Sequence, residues 1–230
     1  MLFGAVAVLA AISLNAADST AKDEITKAAA KLGESSYSWR TTVVVPEDSP
    51  FKPGPTDGKT EKGGFTHVKM SFNENTTEMV FKGDKAAVSG REGGWQSASD
   101  LENSEGPGRF LGMMARNFRP PAVQAAEIGS DIKELKKDGD AYSGELTEEG
   151  AKKLLTFRRG QGAQATVANP KGSAKFWLKD GALVKYQFNV KGTVSFNGNE
   201  FQNDRTSTVE IKDVGSTKVE VPEEAKKKLS

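Results

Sequence analysis

The sequence predicts an α+β protein: a curved antiparallel β-sheet with one apolar face and helices packed on that face. Three observations predict it. From Ala182 to Phe196 the even positions read Ala, Val, Tyr, Phe, Val, Gly, Val, Phe and the odd positions are mostly polar, a period of two that gives one apolar and one wetted face. Turn signals such as Asp180-Gly181, Asp138-Gly139 and Asn197-Gly198-Asn199 separate the alternating runs, as hairpins require. The period changes to that of a helix before the first strand, again over 108–128, and again over 147–157.

In chain order, Leu2 to Leu14 is apolar, too short to span a bilayer, and runs into the small residues Asn15-Ala16-Ala17. It reads as a secretory signal over residues 1–17, with periplasm or secretion as the destination. A membrane anchor or a buried strand competes, because no Lys or Arg precedes the apolar stretch. Residues 18–230 are then expected to form a single domain. Ser19 or Thr20 can cap a first helix that stripes Ile25, Ala28, Ala29 and Leu32 and stops at Gly33. Tyr37–Val45 alternates with odd residues inward. Pro46–Gly64, rich in Pro and Gly, reads as a long mobile loop.

Phe65–Phe72 and Thr76–Lys82 form the next hairpin, with Val68, Met70, Phe72, Met79 and Phe81 apolar, and two short strands follow at 85–91 and 95–98. Phe110, Met113, Met114 and Phe118 recur at helical spacing until Pro120-Pro121, and Pro121 opens another helix reaching Ile128. A hairpin over 132–146 and a helix capped by Thr147 come next, then a loop from Gly160 to Pro170. The final meander runs through Ala174–Lys179, the long 182–196 strand and Phe201–Lys212.

Composition narrows the chemistry. The 230 residues carry 32 Lys+Arg against 31 Asp+Glu, so no global field recruits nucleic acid. With 24 glycines and 36% hydrophobic residues, the chain suits strands wetted on one side. It has no cysteine, which removes disulfides, thiolate nucleophiles, thiolate metal sites and the lipid-attachment cysteine of a lipoprotein.

Motifs that spell chemistry lack their context. Ser19-Thr-Ala-Lys22 matches Ser-x-x-Lys without its partner motifs, and reads as a helix start. Gly160-Gln-Gly162-Ala-Gln-Ala165 follows a helix rather than a strand, so it reads as a loop and not a dinucleotide site. His67 is the only histidine and falls on the polar face of its strand, where a solvated role is expected. Asn75-Thr-Thr77 reads as a turn although it spells a glycosylation sequon. No catalytic residue, metal site or cofactor is assigned.

Three C-terminal segments carry a family resemblance: Lys175-Phe-Trp-Leu-Lys-Asp-Gly-Ala-Leu-Val-Lys-Tyr186, Thr208-Val-Glu-Ile-Lys-Asp-Val-Gly215 and Lys218-Val-Glu-Val-Pro-Glu-Glu-Ala225. They resemble the bacterial envelope superfamily of LolA/LolB lipoprotein carriers and LprG/LppX lipid-binding lipoproteins. The resemblance implies an unclosed half-barrel with a helical lid and acyl chains held between them. The missing cysteine places the chain nearer a periplasmic shuttle than an anchored receptor.

A non-enzymatic carrier of an acyl chain or lipidated ligand is therefore the leading expectation, with lipid or a lipidated protein as partner and peripheral contact with a membrane left open. By parity and helical stripe, Trp39, Val43, Met70, Phe72, Phe110, Met113, Met114, Phe118, Tyr186 and Phe188 line the ligand space. The soft methionine side chains suit ligands of variable shape, and Arg109, Arg116 or Arg119 meet an anionic headgroup at the rim. The alternatives are an envelope protein–protein interaction or sensor module of the same fold with a filled core, and a carboxylate hydrolase.

Overall fold

The structure, a computed structural model, describes residues 21–49, 52–72, 75–90, 94–156, 165–196 and 198–229. The signal expected over 1–17 and most of the 160–165 motif lie outside them. Helix α1 covers 21–33, followed by β1 (Tyr37–Val44), β2 (Pro53–Thr60), β3 (Thr66–Phe72), β4 (Asn75–Lys82), β5 (Lys85–Ser89) and β6 (Trp95–Ser97). Three helices come next: α2 (Ala98–Glu102), α3 (Pro107–Asn117) and α4 (Pro121–Ser130). The chain then returns through β7 (Lys136–Asp138), β8 (Ala141–Glu145), α5 (Glu148–Leu155), β9 (Thr166–Lys179), β10 (Ala182–Phe196) and β11 (Asn199–Lys212), and ends with α6 (Glu223–Lys227).

All eleven strands join one antiparallel sheet in the order β6-β5-β4-β3-β2-β1-β11-β10-β9-β8-β7. Two sequential meanders are sewn together where the first strand meets the last, with Trp39 opposite Ile211 and Thr41 opposite Val209. The sheet is curved and unclosed, as the family resemblance implied. Its concave side receives the helices, because the inward residues of β1, β9, β10 and β11 belong to one apolar cluster with Ile25, Ala125, Ile128 and Leu155.

Local signals account for the helices. The α1 stripe is as expected, with Ile25, Ala28, Ala29 and Leu32 all buried. Thr147 caps α5 by accepting a hydrogen bond from the Gly150 amide at 3.0 Å, with Glu148 and Glu149 in the first turn and Lys152 and Lys153 in the last. Pro121 opens α4, and two tyrosines rising from the sheet fix its first turns. The Ala122 amide donates to Tyr37 Oη at 3.3 Å, and Tyr186 Oη donates to Gln124 at 2.7 Å.

Several expectations need correction. Pro46–Gly64 is not one long loop: β2 lies within it and pairs with both β1 and β3. Its Pro-Gly-rich sequence tolerates pairing because Pro53 sits at the strand end and the register slips between Pro53 and Thr56. The segment from Gly160 to Pro170 is likewise not all loop, since β9 begins at Thr166. It absorbs Pro170 next to Asn169, whose φ of 53° marks an irregularity facing the slip between Lys191 and Thr193. In the 132–146 hairpin the leading strand is confined to β7, with a single bridge from Ile132 to Leu146.

The alternation of β10 is also interrupted near its start. A bulge between Leu183 and Lys185 puts Leu183 inside at 2% exposure and Val184 outside at 37%, the reverse of simple parity. From Tyr186 onward the even residues face inward as expected: Tyr186, Phe188 and Val190 are all buried. At the preceding turn Asp180 and Gly181 both take positive φ, 51° and 71°, the conformation that an Asp-Gly hairpin needs.

The convex side carries a cover of its own. After β11 the chain turns at Asp213–Gly215, where the Gly215 amide donates to the Ser36 carbonyl at 2.7 Å. It then crosses the outside of β1–β3 and lays α6 on β4–β6. Ala225 and Leu229 bury Val80 and Ala87 there, with Phe65, Trp95 and Val221 around them.

Candidate ligand-binding face

The candidate site is the concave surface of β1, β3, β4, β10 and β11 beneath the helices, with the α3–α4 corner resting on β1 and β4 through Phe118 and α4 meeting β10 through Gln124. Trp39 is 4% exposed and stacks with Phe118 at 6.3 Å between ring centroids, and Phe118 stacks in turn on Phe81 at 4.6 Å. Tyr37 lies 5.6 Å from Trp39 on its other side. Burial pushes the Tyr37 hydroxyl up to about 12 against the hydrogen bond from the Ala122 backbone, and burial likewise raises Tyr186.

Helix α3 differs from α4 in what it buries. In α4 the buried residues include Ala122, Ala125 and Ile128, whereas in α3 only Gly112 and Ala115 are fully buried. The large apolar side chains of α3 are left partly in solvent. Leu111, Met113 and Met114 are half-buried, and Phe110 is 51% exposed. The helix starts at Gly106 with φ 70° and no side-chain cap. Gly112 lets it approach α2 closely, since a Cβ there would stand 2.6 Å from the Glu102 amide nitrogen.

Trp39, Tyr186 and Phe188 thus form the buried floor, at 4%, 0% and 5% exposure. Met70, Met114 and Phe118 are half-buried and pack on the same cluster, and Val43 and Met113 are also half-buried. Phe110 is the outlier on the outside of α3, and the side chain of Phe72 lies outside the described residues. Met70, Phe81, Leu111, Met114 and Phe118 pack directly on the buried residues of the apolar cluster.

Two concavities lie on the convex side. One, about 880 Å³, lies between β1–β3 and the C-terminal segment and is lined by Arg40, Asp57, Lys59, His67, Lys69, Lys218 and others; Trp39 alone of the ten predicted residues borders it. The other, about 620 Å³, is lined by Lys133, Glu145, Lys175, Gln187, Asn189 and neighbours. Both are polar.

His67 is not merely solvated. It meets Glu78 at 2.6 Å, with Lys69 at 3.2 Å from the other carboxylate oxygen. Burial alone would push the Glu78 carboxyl up, but hydrogen bonds and charge from Lys69 and His67 outweigh it and hold the carboxyl below its ordinary value.

The arginines proposed for a headgroup are placed otherwise. Arg116 pairs with Glu102 at 2.9 Å, Arg119 lies 3.7 Å from Glu127, and Arg109 is exposed. The arginine that does face the concave side is Arg205 on β11. It shares parity with the buried Ser207, Val209 and Ile211, and donates through Nη2 to the Leu154 carbonyl of α5 at 2.5 Å. Burial lowers the pKa of its guanidinium, which stays cationic. Sequence reasoning missed it, although its odd position in 199–212 was the available signal. Among the described residues no group of His, Asp or Glu side chains is arranged to hold a metal ion, and no helix is long and apolar enough to cross a membrane.

No protein-family model and no curated protein sequence matches the chain. Solved structures do. The chain is similar to the lipoprotein LppX of Mycobacterium tuberculosis at 14% identity and TM-score 0.49, over 88% of this chain and 98% of that one. It is similar to LprF of Mycobacterium bovis at 13% identity and TM-score 0.47, over 90% and 98%. It is also similar to a LolA superfamily protein of Nitrosomonas europaea at 9% identity and TM-score 0.35, over 88% and 94%. These are likenesses of fold alone.

Proposed function

We propose that this protein is a non-enzymatic binding protein of the bacterial envelope that holds an acyl chain or lipidated ligand between the concave sheet and helix α3. The observation that carries the reading is the half-buried layer of α3 and its C-cap: Leu111, Met114 and Phe118 pack on the apolar cluster that contains Trp39, Tyr186 and Phe188 without being sealed in, and Met113 is half-buried next to them in sequence. Methionine repacks at little cost, so an entering chain displaces soft side chains rather than rigid ones. Each methylene transferred from water contributes about 0.8 kcal/mol, so about ten carbons offer roughly 8 kcal/mol against the costs of immobilisation and of moving α3. The C-terminal motifs that resemble envelope carriers support the same reading. So does the apolar stretch at the N-terminus, read as a secretory signal.

The packed interior favours a second reading, a module that binds another envelope protein through its surface with the core left full. Native mass spectrometry of the protein purified from envelope fractions, with extraction of bound lipid, separates the two. Co-purifying lipid is the expected result, and a clean unliganded mass in every preparation supports the second reading.

A further inference from the structure

Arg205 holds an inward position on the sheet where its neighbours are apolar or small. Val190 lies opposite it on β10, and the next inward rung is Ser207 between Phe188 of β10 and Val43 of β1. A guanidinium offers five N–H donors in a planar fork. Among the described residues its side chain has one acceptor, the Leu154 carbonyl, and no carboxylate pairs with it. The adjacent Asp204 is turned to the convex face, where it accepts from Asn189. Capping the last turn of α5 explains one donor and leaves the others unused. Those others reach the surface, because no buried side-chain nitrogen among the described residues lacks a partner.

From Arg205 the inward column of β11 runs through Ser207 and Val209 to Ile211, opposite Trp39, a span of about 20 Å at the rise of an antiparallel strand. A cation thus stands at one end of an apolar path, and the Trp39–Phe118 stack stands at the other.

We propose that Arg205 is the anion-recognising residue of the binding face, taking the carboxylate or phosphate oxygens of a single-headed anionic amphiphile whose tail runs past Phe188 and Val43 toward Trp39. This rests on the acyl-binding reading and narrows it to anionic ligands. The fork of a guanidinium matches two oxygens of such a headgroup at once, and its enclosure strengthens the pair relative to one in open water.

Calorimetric titration of the full chain with laurate, dodecyl phosphate and dodecanol, each below its aggregation limit, tests the proposal. Wild type is expected to bind the better anion roughly tenfold to hundredfold more tightly than dodecanol, the span of a hydrogen bond to a charged group. Arg205→Gln should remove that preference while keeping the affinity for dodecanol, and Arg205→Lys should keep part of it. A preference for laurate identifies a fatty-acid carboxylate, and one for dodecyl phosphate identifies a phospholipid-type headgroup. Equal binding of anion and alcohol by wild type, which needs no variant, overturns the role of Arg205 and leaves the acyl-binding reading standing. So does a preference that survives in a folded Arg205→Gln. Binding of none of the three overturns both.

Discussion

Gly58 of β2 and Trp39 of β1 are cross-strand partners, and the indole occupies the space that a side chain at Gly58 would need. A Cβ built there would lie 2.0 Å from Trp39 Cζ2. The ring is buried and packs against both Tyr37 and Phe118. Gly58→Ala should therefore destabilise the protein by about 1–3 kcal/mol, the usual cost of overpacking, read as a lower urea midpoint. Unchanged stability would mean that the floor of the site is looser than its packing suggests.

Phe118 couples α3 to the sheet through its stacks on Phe81 and Trp39. An aromatic pair contributes about 0.5–1.5 kcal/mol beyond burial, so Phe118→Ala should speed amide hydrogen exchange in α3 about tenfold, the equivalent of 1.4 kcal/mol. Exchange in α5 should stay as it was. A uniform rise across both helices would indicate global destabilisation rather than release of α3.

The Glu78 carboxylate lends stability through His67 and Lys69. Its pKa is lower folded than unfolded, so this contribution is complete above its ordinary value of 4.5 and is lost as pH falls through the lower folded value. Glu78 is partly exposed, so the effect should be about 1 kcal/mol. Urea midpoints should fall with acidification below that value in wild type and fall less in Glu78→Gln. Parallel curves would contradict the assignment.

Much of this fold was legible in the sequence, and the exceptions have specific causes. The alternation after Tyr186 and the Asp180-Gly181 turn were readable because both are local. The reversal at Leu183 and Val184 was not, since a bulge depends on how many residues the partner strand supplies: Leu183 faces Leu178 while Lys185 already faces Trp177. Strand β2 was hidden because its Pro-Gly-Pro-Thr-Asp-Gly-Lys-Thr sequence has no apolar period, and its one essential feature is the missing side chain of Gly58. The convex cover under α6 did leave a trace, for Met79, Val80 and Phe81 are apolar in succession, the mark of a strand covered on both faces.

For the site, parity and helical stripe chose Trp39, Phe118, Tyr186 and Phe188, which the structure brings into one apolar cluster. They also chose Phe110, which is 51% exposed, because a stripe defines a face of the helix but not how far around it the sheet extends. The rim arginines on α3 and after it were chosen by nearness in sequence. Their acids came from α2 and α4, which only the tertiary structure brings alongside.

The central claim, that an acyl chain lies under α3 against the sheet, is tested most directly by quenching of Trp39. With Trp95 and Trp177 replaced by Phe, Trp39 is the sole indole, and a dibrominated stearate quenches only at contact range. The account predicts saturable quenching of Trp39 that competing unbrominated stearate reverses. Trp39 emission that stays constant while the fatty acid binds, or that changes only above its aggregation limit, would contradict it.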